Sequence, residues 1–169
     1  MITTERLFIQ PLTYQQLLKY IKADNSLEQE LKLNYTNRTI SPELKEAFEQ
    51  TIIPNVADPK KNYLYATLWT IIDAKANTMV GDICIVGEPN AAGEIEIGYG
   101  TYDEFKNKGY MTEAVGGMIK WASNQPNVTS IIASTKKNNV ASYSILKKNN
   151  FTQRSESNEL LSWKLDLQK

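Results

Sequence analysis

The residues best suited to chemistry lie in the run Gly98-Tyr99-Gly100-Thr101-Tyr102-Asp103-Glu104-Phe105-Lys106-Asn107-Lys108-Gly109-Tyr110-Met111-Thr112-Glu113-Ala114, which passes from a strand-like segment through a short polar loop into a helical periodicity. A helix that begins there leaves several backbone N–H groups without an internal partner, and its dipole adds positive potential, so the main chain alone can hold a pyrophosphate. Gly109 removes the side chain where the backbone must approach phosphate, and Lys106 and Lys108 add charge nearby. Just upstream, Glu94 and Glu96 alternate onto one face of a strand, with Ile95, Ile97 and Tyr99 on the other.

Two absences narrow the chemistry. The chain has no histidine and one cysteine, Cys84, so Ser-His-Asp and Cys-His nucleophile systems, HExxH sites and Cys/His zinc sites all lack their parts, and no metal is expected. No intramolecular disulfide can form. Cys84, within Asp82-Ile83-Cys84-Ile85-Val86, reads as a small apolar strand residue. Acid-base work is left to carboxylate, tyrosine, lysine, serine or bound water.

The surrounding elements follow from periodicity and punctuation. Thr4 to Leu12 reads as a strand ended by Pro11, and Tyr14 to Ala23 as a helix with Leu17, Leu18 and Ile21 on one face. Ser41-Pro42-Glu43 opens a second helix, with Leu44, Ala47, Phe48, Thr51 and Ile52 at helical spacing and Pro54 at its end. Tyr63 to Ile72 and Met79 to Val86 are strands joined by the polar turn Asp73 to Asn77, and Glu94 to Gly100 is a third strand of the sheet. Met111 to Ser123 is the clearest helix, with Met111, Ala114, Val115, Met118, Ile119 and Ala122 in one stripe. Its Gly116 and Gly117 point to a close approach to the sheet or to local flexibility. Val128 to Thr135 is a strand, Asn139 caps a helix to about Asn149, and Phe151 opens a closing pair of strands through Leu165. This order predicts an α/β (α+β) sandwich with a mixed, mostly antiparallel sheet and one parallel pair joined across the Met111 helix.

A length of 169 residues suits one domain, 1–169. Equal numbers of basic and acidic residues, 19 each, give no overall field to steer the chain onto nucleic acid or an anionic membrane. The apolar stretches are strand-sized, and the N-terminal residues lack the pattern of a signal peptide, so no membrane span and a cytoplasmic location are expected.

Three motifs carry a resemblance. Lys106-Asn107-Lys108-Gly109-Tyr110-Met111 resembles the Gln/Arg-x-x-Gly-x-Gly/Ala signature of the GNAT superfamily, with Lys106 for Gln or Arg and Met111 for the small last residue. Asn139-Val140-Ala141-Ser142-Tyr143-Ser144-Ile145-Leu146-Lys147-Lys148-Asn149-Asn150-Phe151 resembles the family's Asn-x-x-Ser-x-x-x-Leu-x-Lys-x-Gly-Phe, with Asn150 for glycine, an exchange that a left-handed C-cap tolerates. The opening Thr4-Glu5-Arg6-Leu7-x-Ile9-x-Pro11-Leu12, with Glu96-Ile97-Gly98-Tyr99, is similar to the branch that includes the ribosomal-protein N-terminal acetyltransferases.

The resemblance implies the GNAT acyl-CoA N-acyltransferase fold and transfer of an acetyl group from acetyl-CoA, used as co-substrate, to a primary amine by direct attack in a ternary complex. It implies coenzyme A contacts from Tyr99, Gly100, Thr101, Lys106, Asn107, Lys108, Gly109, Tyr110, Met111, Thr112, Asn139 and Ser142, and carbonyl polarisation by a backbone N–H near Gly98 to Thr101. Glu96 is the expected base, directly or through a water, with Glu94 behind it. Many relatives place a thiolate acid at the position held by Leu146; Tyr143, one turn earlier, is the substitute by sequence. The acceptor, a small molecule or a protein N-terminus, is expected among the early helices and the segments Asn25 to Asn37 and Asn55 to Lys61. A homodimer stays open, as does a non-catalytic acyl-CoA-binding sensor or scaffold, suggested by Met111 and Leu146. A nucleotide-binding fold of another kind lacks its motifs: there is no GxxxxGK[ST], and Gly98-x-Gly100-x-x-Asp103 misses the third glycine.

Overall fold

One continuous eight-stranded sheet forms the centre of the computed structural model, which describes residues 1–168. The strands are β1 (Ile2–Thr3), β2 (Leu7–Pro11), β3 (Leu68–Asp73), β4 (Thr78–Ile85), β5 (Glu94–Thr101), β6 (Ser130–Lys136), β7 (Thr152–Glu156) and β8 (Leu160–Asp166), in the spatial order β1-β2-β3-β4-β5-β6-β8-β7. All neighbours are antiparallel except β5 and β6. The mostly antiparallel sheet with one parallel pair is the architecture expected from the sequence. β3 is buried at every position because it lies between β2 and β4 with both faces covered.

The helices α1 (Tyr14–Lys22), α2 (Ser26–Leu31), α3 (Pro42–Ala47), α4 (Ile53–Ala57), α5 (Tyr110–Ser123) and α6 (Val140–Lys148) cover the two faces. One core gathers Leu7, Ile9, Trp69, Ile83, Ile95 and Ile97 under Met111, Val115, Met118 and Leu146 of α5 and α6. The other sets Leu68, Ile72 and Met79 against Leu17, Tyr20, Leu27, Phe48 and Ile52. α5 closes tightly onto β1 and β2: a Cβ on Gly117 would lie 2.9 Å from Thr4 Cγ2 and 3.2 Å from Ile9 Cδ1. Close approach, not flexibility, accounts for that glycine.

Several boundaries differ from expectation. Pro54 does not stop the second helix: a π-helical turn at Phe48–Ile52 carries the chain into α4, with Pro54 in its first turn. Tyr63–Tyr65 is a 3-10 turn, capped by the Asn62 side chain, and the strand begins only at Leu68. Ser26–Leu31 forms a short helix within the segment Asn25 to Asn37, for which periodicity predicts none, starting and ending on the left-handed residues Asn25 and Lys32. Asn150 is left-handed after α6, as its exchange for glycine requires.

The feature that matters most for function is a gap. β5 and β6 pair only through Glu94–Glu96 and Ser130–Ile132. Beyond that point β6 stays with β8, and Gly98 to Thr101 of β5 keep a strand partner on the β4 side alone. Because Glu96 and Tyr102 hydrogen-bond toward β4, strand alternation uses the Ile97 N–H in the last bridge to β6 and turns the N–H and C=O groups of Tyr99 and Thr101 toward the gap.

Candidate active site

The loop after β5 folds back as a 3-10 turn, Asp103–Phe105, and reaches α5 through two left-handed residues, Asn107 and Gly109. Gly109 is the N-cap of α5 and offers no side chain, so no side-chain group caps the first turn. The amides of the first turn therefore lie open to a ligand, and the wall of a cavity of about 660 Å³ forms around them. That wall holds eleven of the twelve residues expected to contact coenzyme A: Tyr99, Gly100, Thr101, Lys106, Asn107, Gly109, Tyr110, Met111, Thr112, Asn139 and Ser142. Ser144 and Lys148 of α6 also line it, and sequence reasoning passed over both.

Lys108 is the exception. Its ammonium sits 5.2 Å over the Phe105 ring, and its carbonyl accepts a hydrogen bond from Arg6 Nη1 at 3.1 Å. Arg6 ties this loop to the body of the protein: its Nε donates to Glu113 Oε2 at 2.6 Å, and its guanidinium lies 4.9 Å over the Tyr110 ring. Burial works to raise the Glu113 carboxyl, but hydrogen bonds from Thr4 and Arg6 outweigh it and leave the pKa lowered. Lys106, in the expected anion-binding position, is paired at 2.6 Å with Asp103, both exposed. Met111 turns its side chain into the core, where its Cε would be 3.3 Å from a Cβ on Gly81; the larger residue is accommodated because Gly81 is bare.

A second cavity, about 540 Å³, opens on the other face of β5. Tyr99, Gly100 and Thr101 line both cavities, so the two meet at the gap in the sheet. Tyr99 also bridges the gap: its hydroxyl donates to the Ser142 carbonyl at 2.9 Å, and burial raises its pKa. The remaining wall comes from Tyr20, the segment Asn37 to Thr39, Ser41, Leu44, Leu68, Asp82, Cys84, Gly98 and Tyr102 to Glu104. Of the elements expected to meet the acceptor, α1, α3 and Asn37 reach this wall. Asn55 and Lys61 instead line a separate small cavity of about 150 Å³.

The buried carboxylate in this second cavity is Asp82. Its Oδ2 accepts hydrogen bonds from Tyr20 at 2.6 Å and Tyr102 at 2.9 Å. Burial pushes the Asp82 pKa up to about 6, against the opposing pull of both phenols and of Arg38. Burial, reinforced by the Asp82 charge, raises both phenols in turn, so they remain neutral donors. Arg38 is itself committed to the buried Glu28 and to the Tyr20 carbonyl. Burial also raises the Cys84 thiol, which keeps it protonated.

The two residues expected to do the chemistry lie elsewhere. Glu96 shares the Asp82 face but lines neither cavity, and takes a 3.4 Å contact from the Ser134 hydroxyl. Glu94 is paired with Lys164 at 2.8 Å. Tyr143 is not at the cleft: its ring stacks on Trp163 at a centroid distance of 6.0 Å, with Lys147 above it. The physical reason is helical phase, since Ala141, Ser142, Ser144, Ile145 and Lys148 take the face of α6 toward the cavity and turn Tyr143 toward β8. Asp82 and Tyr20 were missed. The signal that could have raised Asp82 was a lone carboxylate inside the apolar run Met79 to Val86.

A sheet that parts beside a glycine-opened helix is the frame of an acyl-CoA-binding fold, and comparison with known proteins agrees. The acetyltransferase (GNAT) domain family matches residues 6–152, and the chain belongs to that family. A curated relative, the uncharacterized N-acetyltransferase YjdG of Bacillus subtilis, is 33% identical over 95 residues, 56% of each chain, so the match spans little more than half of that relative's length. Among solved structures, the ribosomal-protein-S5-alanine acetyltransferase of Vibrio fischeri superposes with a TM-score of 0.69 at 16% identity, over 97% of this chain and 94% of that one. The spermidine N-acetyltransferase of Vibrio cholerae, in complex with CoA and spermine, gives 0.65 at 12% identity over 96% of each chain. At such identities these likenesses speak for the fold. Among the described residues, no helix is long and apolar enough to cross a membrane.

Proposed function

We propose that this chain transfers an acetyl group from acetyl-CoA to a primary amine by direct attack in a ternary complex. The observation that carries this reading is the meeting of two cavities at Tyr99–Thr101, one opening on the bare first turn of α5 and the other holding a buried carboxylate. Coenzyme A fits the first: Gly109 has no Cβ to crowd a pyrophosphate, the first-turn amides are uncapped, and Lys106 and Lys148 stand in the wall. Asn139 caps α6 by accepting from the Ser142 amide at 3.1 Å, which fixes the wall along which a pantetheine arm would run.

The N–H groups of Tyr99 and Thr101 face the gap and supply donors for a carbonyl placed between the cavities, where they would strengthen as charge develops on the oxygen. The amine enters from the second cavity, opposite the thioester. The names of the family's relatives point to two sources of such an amine, a protein N-terminus and a polyamine.

Calorimetry with CoA tests the first half of this reading. Wild type should bind, and Gly109→Glu should lose binding by ~100-fold or more, because a side chain strains the left-handed N-cap, crowds the Arg6 guanidinium that ties the loop down, and adds a negative charge beside the first turn. Undiminished affinity in the variant would remove the loop from the site. Turnover of acetyl-CoA with spermidine and with an alanine-starting peptide tests the second half; tight binding with no acetylated product would leave an acyl-CoA-holding module.

A further inference from the structure

Deepening the acetyl-transfer reading and resting on it, we infer that Asp82, held between the phenols of Tyr20 and Tyr102, receives the ammonium group of the acceptor and takes its proton. The place is right. Asp82 lies directly across from Gly100, one of the three residues shared by the two cavities, and a Cβ on Gly100 would meet nothing within 4 Å. The side of β5 between the carboxylate and the gap is therefore unfilled.

Hydrogen bonds hold the Asp82 carboxylate in place and leave its charge to be met by a cation. Both phenols donate to Oδ2. The hydroxyl of Thr70, opposite Asp82 on β3, pulls with them toward the charged form. A buried carboxylate met only by neutral hydroxyls is costly, and an ammonium at the cavity wall supplies the missing charge.

The charges around Asp82 favour the same ligand. Tyr20 from α1, Tyr102 after β5, Thr70 from β3 and Cys84 from β4 are neutral, and Arg38 is spent on Glu28. Toward the mouth stand Asp103 and Glu104, the first paired with Lys106. The wall therefore carries more uncompensated negative than positive charge and draws in a cation. Glu96, outside both walls, has no such access.

The step balances without further reagents. Asp82 accepts one proton from the ammonium, and the freed nitrogen lone pair forms the C–N bond to the thioester carbonyl. Collapse breaks the C–S bond, the thiolate takes the second proton from nitrogen, and Asp82 returns its own proton to solvent. The products are an amide, free CoA thiol and one proton. No tyrosine acid is required.

The test follows the carboxyl carbon of Asp82 by NMR in the CoA-loaded protein during titration with putrescine, the signal being assigned by its loss in Asp82→Asn. A saturable shift is expected, absent with a neutral diol of equal length. In rate measurements with acetyl-CoA and either putrescine or an alanine peptide amide, Asp82→Asn should lower kcat/KM by ~100- to 10,000-fold, more than Glu96→Gln does, with CoA affinity unchanged. Tyr102→Phe removes a donor that stabilises the charged form, so the acidic limb of kcat/KM should move to higher pH, which a purely structural role would not produce. Whichever amine is acetylated identifies the source. If wild type acetylates neither, the transfer reading fails for these amines and the titration alone judges Asp82. A carboxyl signal indifferent to putrescine, an Asp82→Asn protein with wild-type turnover, or an equal loss of CoA affinity overturns the inference.

Discussion

A charged residue buried for function leaves a mark on stability, and Asp82 should show it. Burial raises its pKa from the ordinary carboxylate value to about 6, so between about pH 4 and pH 6 the folded chain holds a proton that the unfolded chain has released. Its contribution is most favourable below that window, declines as pH rises through it, and is a constant penalty above. Asp82→Asn keeps an acceptor for both phenols and removes the penalty, so at pH 8 the variant should be more stable by on the order of 3 kcal/mol. Thermal unfolding at pH 8 and pH 4 checks this: the difference should be large at the first and nearly gone at the second. At this scale the sequence was legible where chemistry is local. The residues expected to meet the cofactor between Tyr99 and Thr112 follow one another along the chain, and eleven of the twelve expected contacts line one cavity. Asp82 was not legible, because its meaning comes from Tyr20, which lies 62 residues away in the chain. The direction of Tyr143 was hidden for a related reason: spacing along a helix gives the turn, and only the packing of Trp163 decides which side it faces.

Elements position these residues through close contacts that leave little room for adjustment. The first turn of α5 can face the cavity only if the helix lies against β1 and β2, and Gly117 permits this by bringing helix backbone onto Thr4 and Ile9. Gly117→Val would force the helix outward. Overpacking of this kind costs ~1–3 kcal/mol, only partly offset by the better helix propensity of valine over glycine. Because Arg6 links the same region to the Lys108 carbonyl and Glu113, the displacement should also weaken CoA binding, although Gly117 lies two turns from the ligand. Chemical denaturation and calorimetry on the same variant check both effects, and a loss of stability with unchanged affinity would mean that the first turn is held by Arg6 alone. Elements with strong periodicity, such as α5 and β5, were legible to within a residue or two. The π turn at Phe48–Ile52 was not, since Pro54 normally ends a helix and only a local change of hydrogen-bond register lets the chain run on. The 3-10 turn at Tyr63–Tyr65 was hidden by aromatic residues that strands also favour.

The whole molecule is organised around the parting of β5 from β6, which leaves strand backbone facing a gap where an uninterrupted sheet would pair it. Unpaired backbone inside a fold is a standing cost, met elsewhere by the two cores that clamp β3 and β4. A ligand that fills the gap and satisfies both those groups and the amides of α5 should therefore stabilise the protein as a unit, since α5, α6 and β5 all contribute to its wall. Linkage fixes the size of the effect: CoA at ~100 times its dissociation constant adds about 2.7 kcal/mol, which for a chain of this length raises the unfolding midpoint by several degrees. The rise should grow with the logarithm of CoA concentration and be lost in Gly109→Glu. In Asp82→Asn it should be retained in full, because that carboxylate stands in the other cavity. Scanning calorimetry at a series of CoA concentrations separates these cases. A midpoint indifferent to CoA in the wild type would mean that the gap is not a binding cleft, and the acetyl-transfer reading would lose its footing.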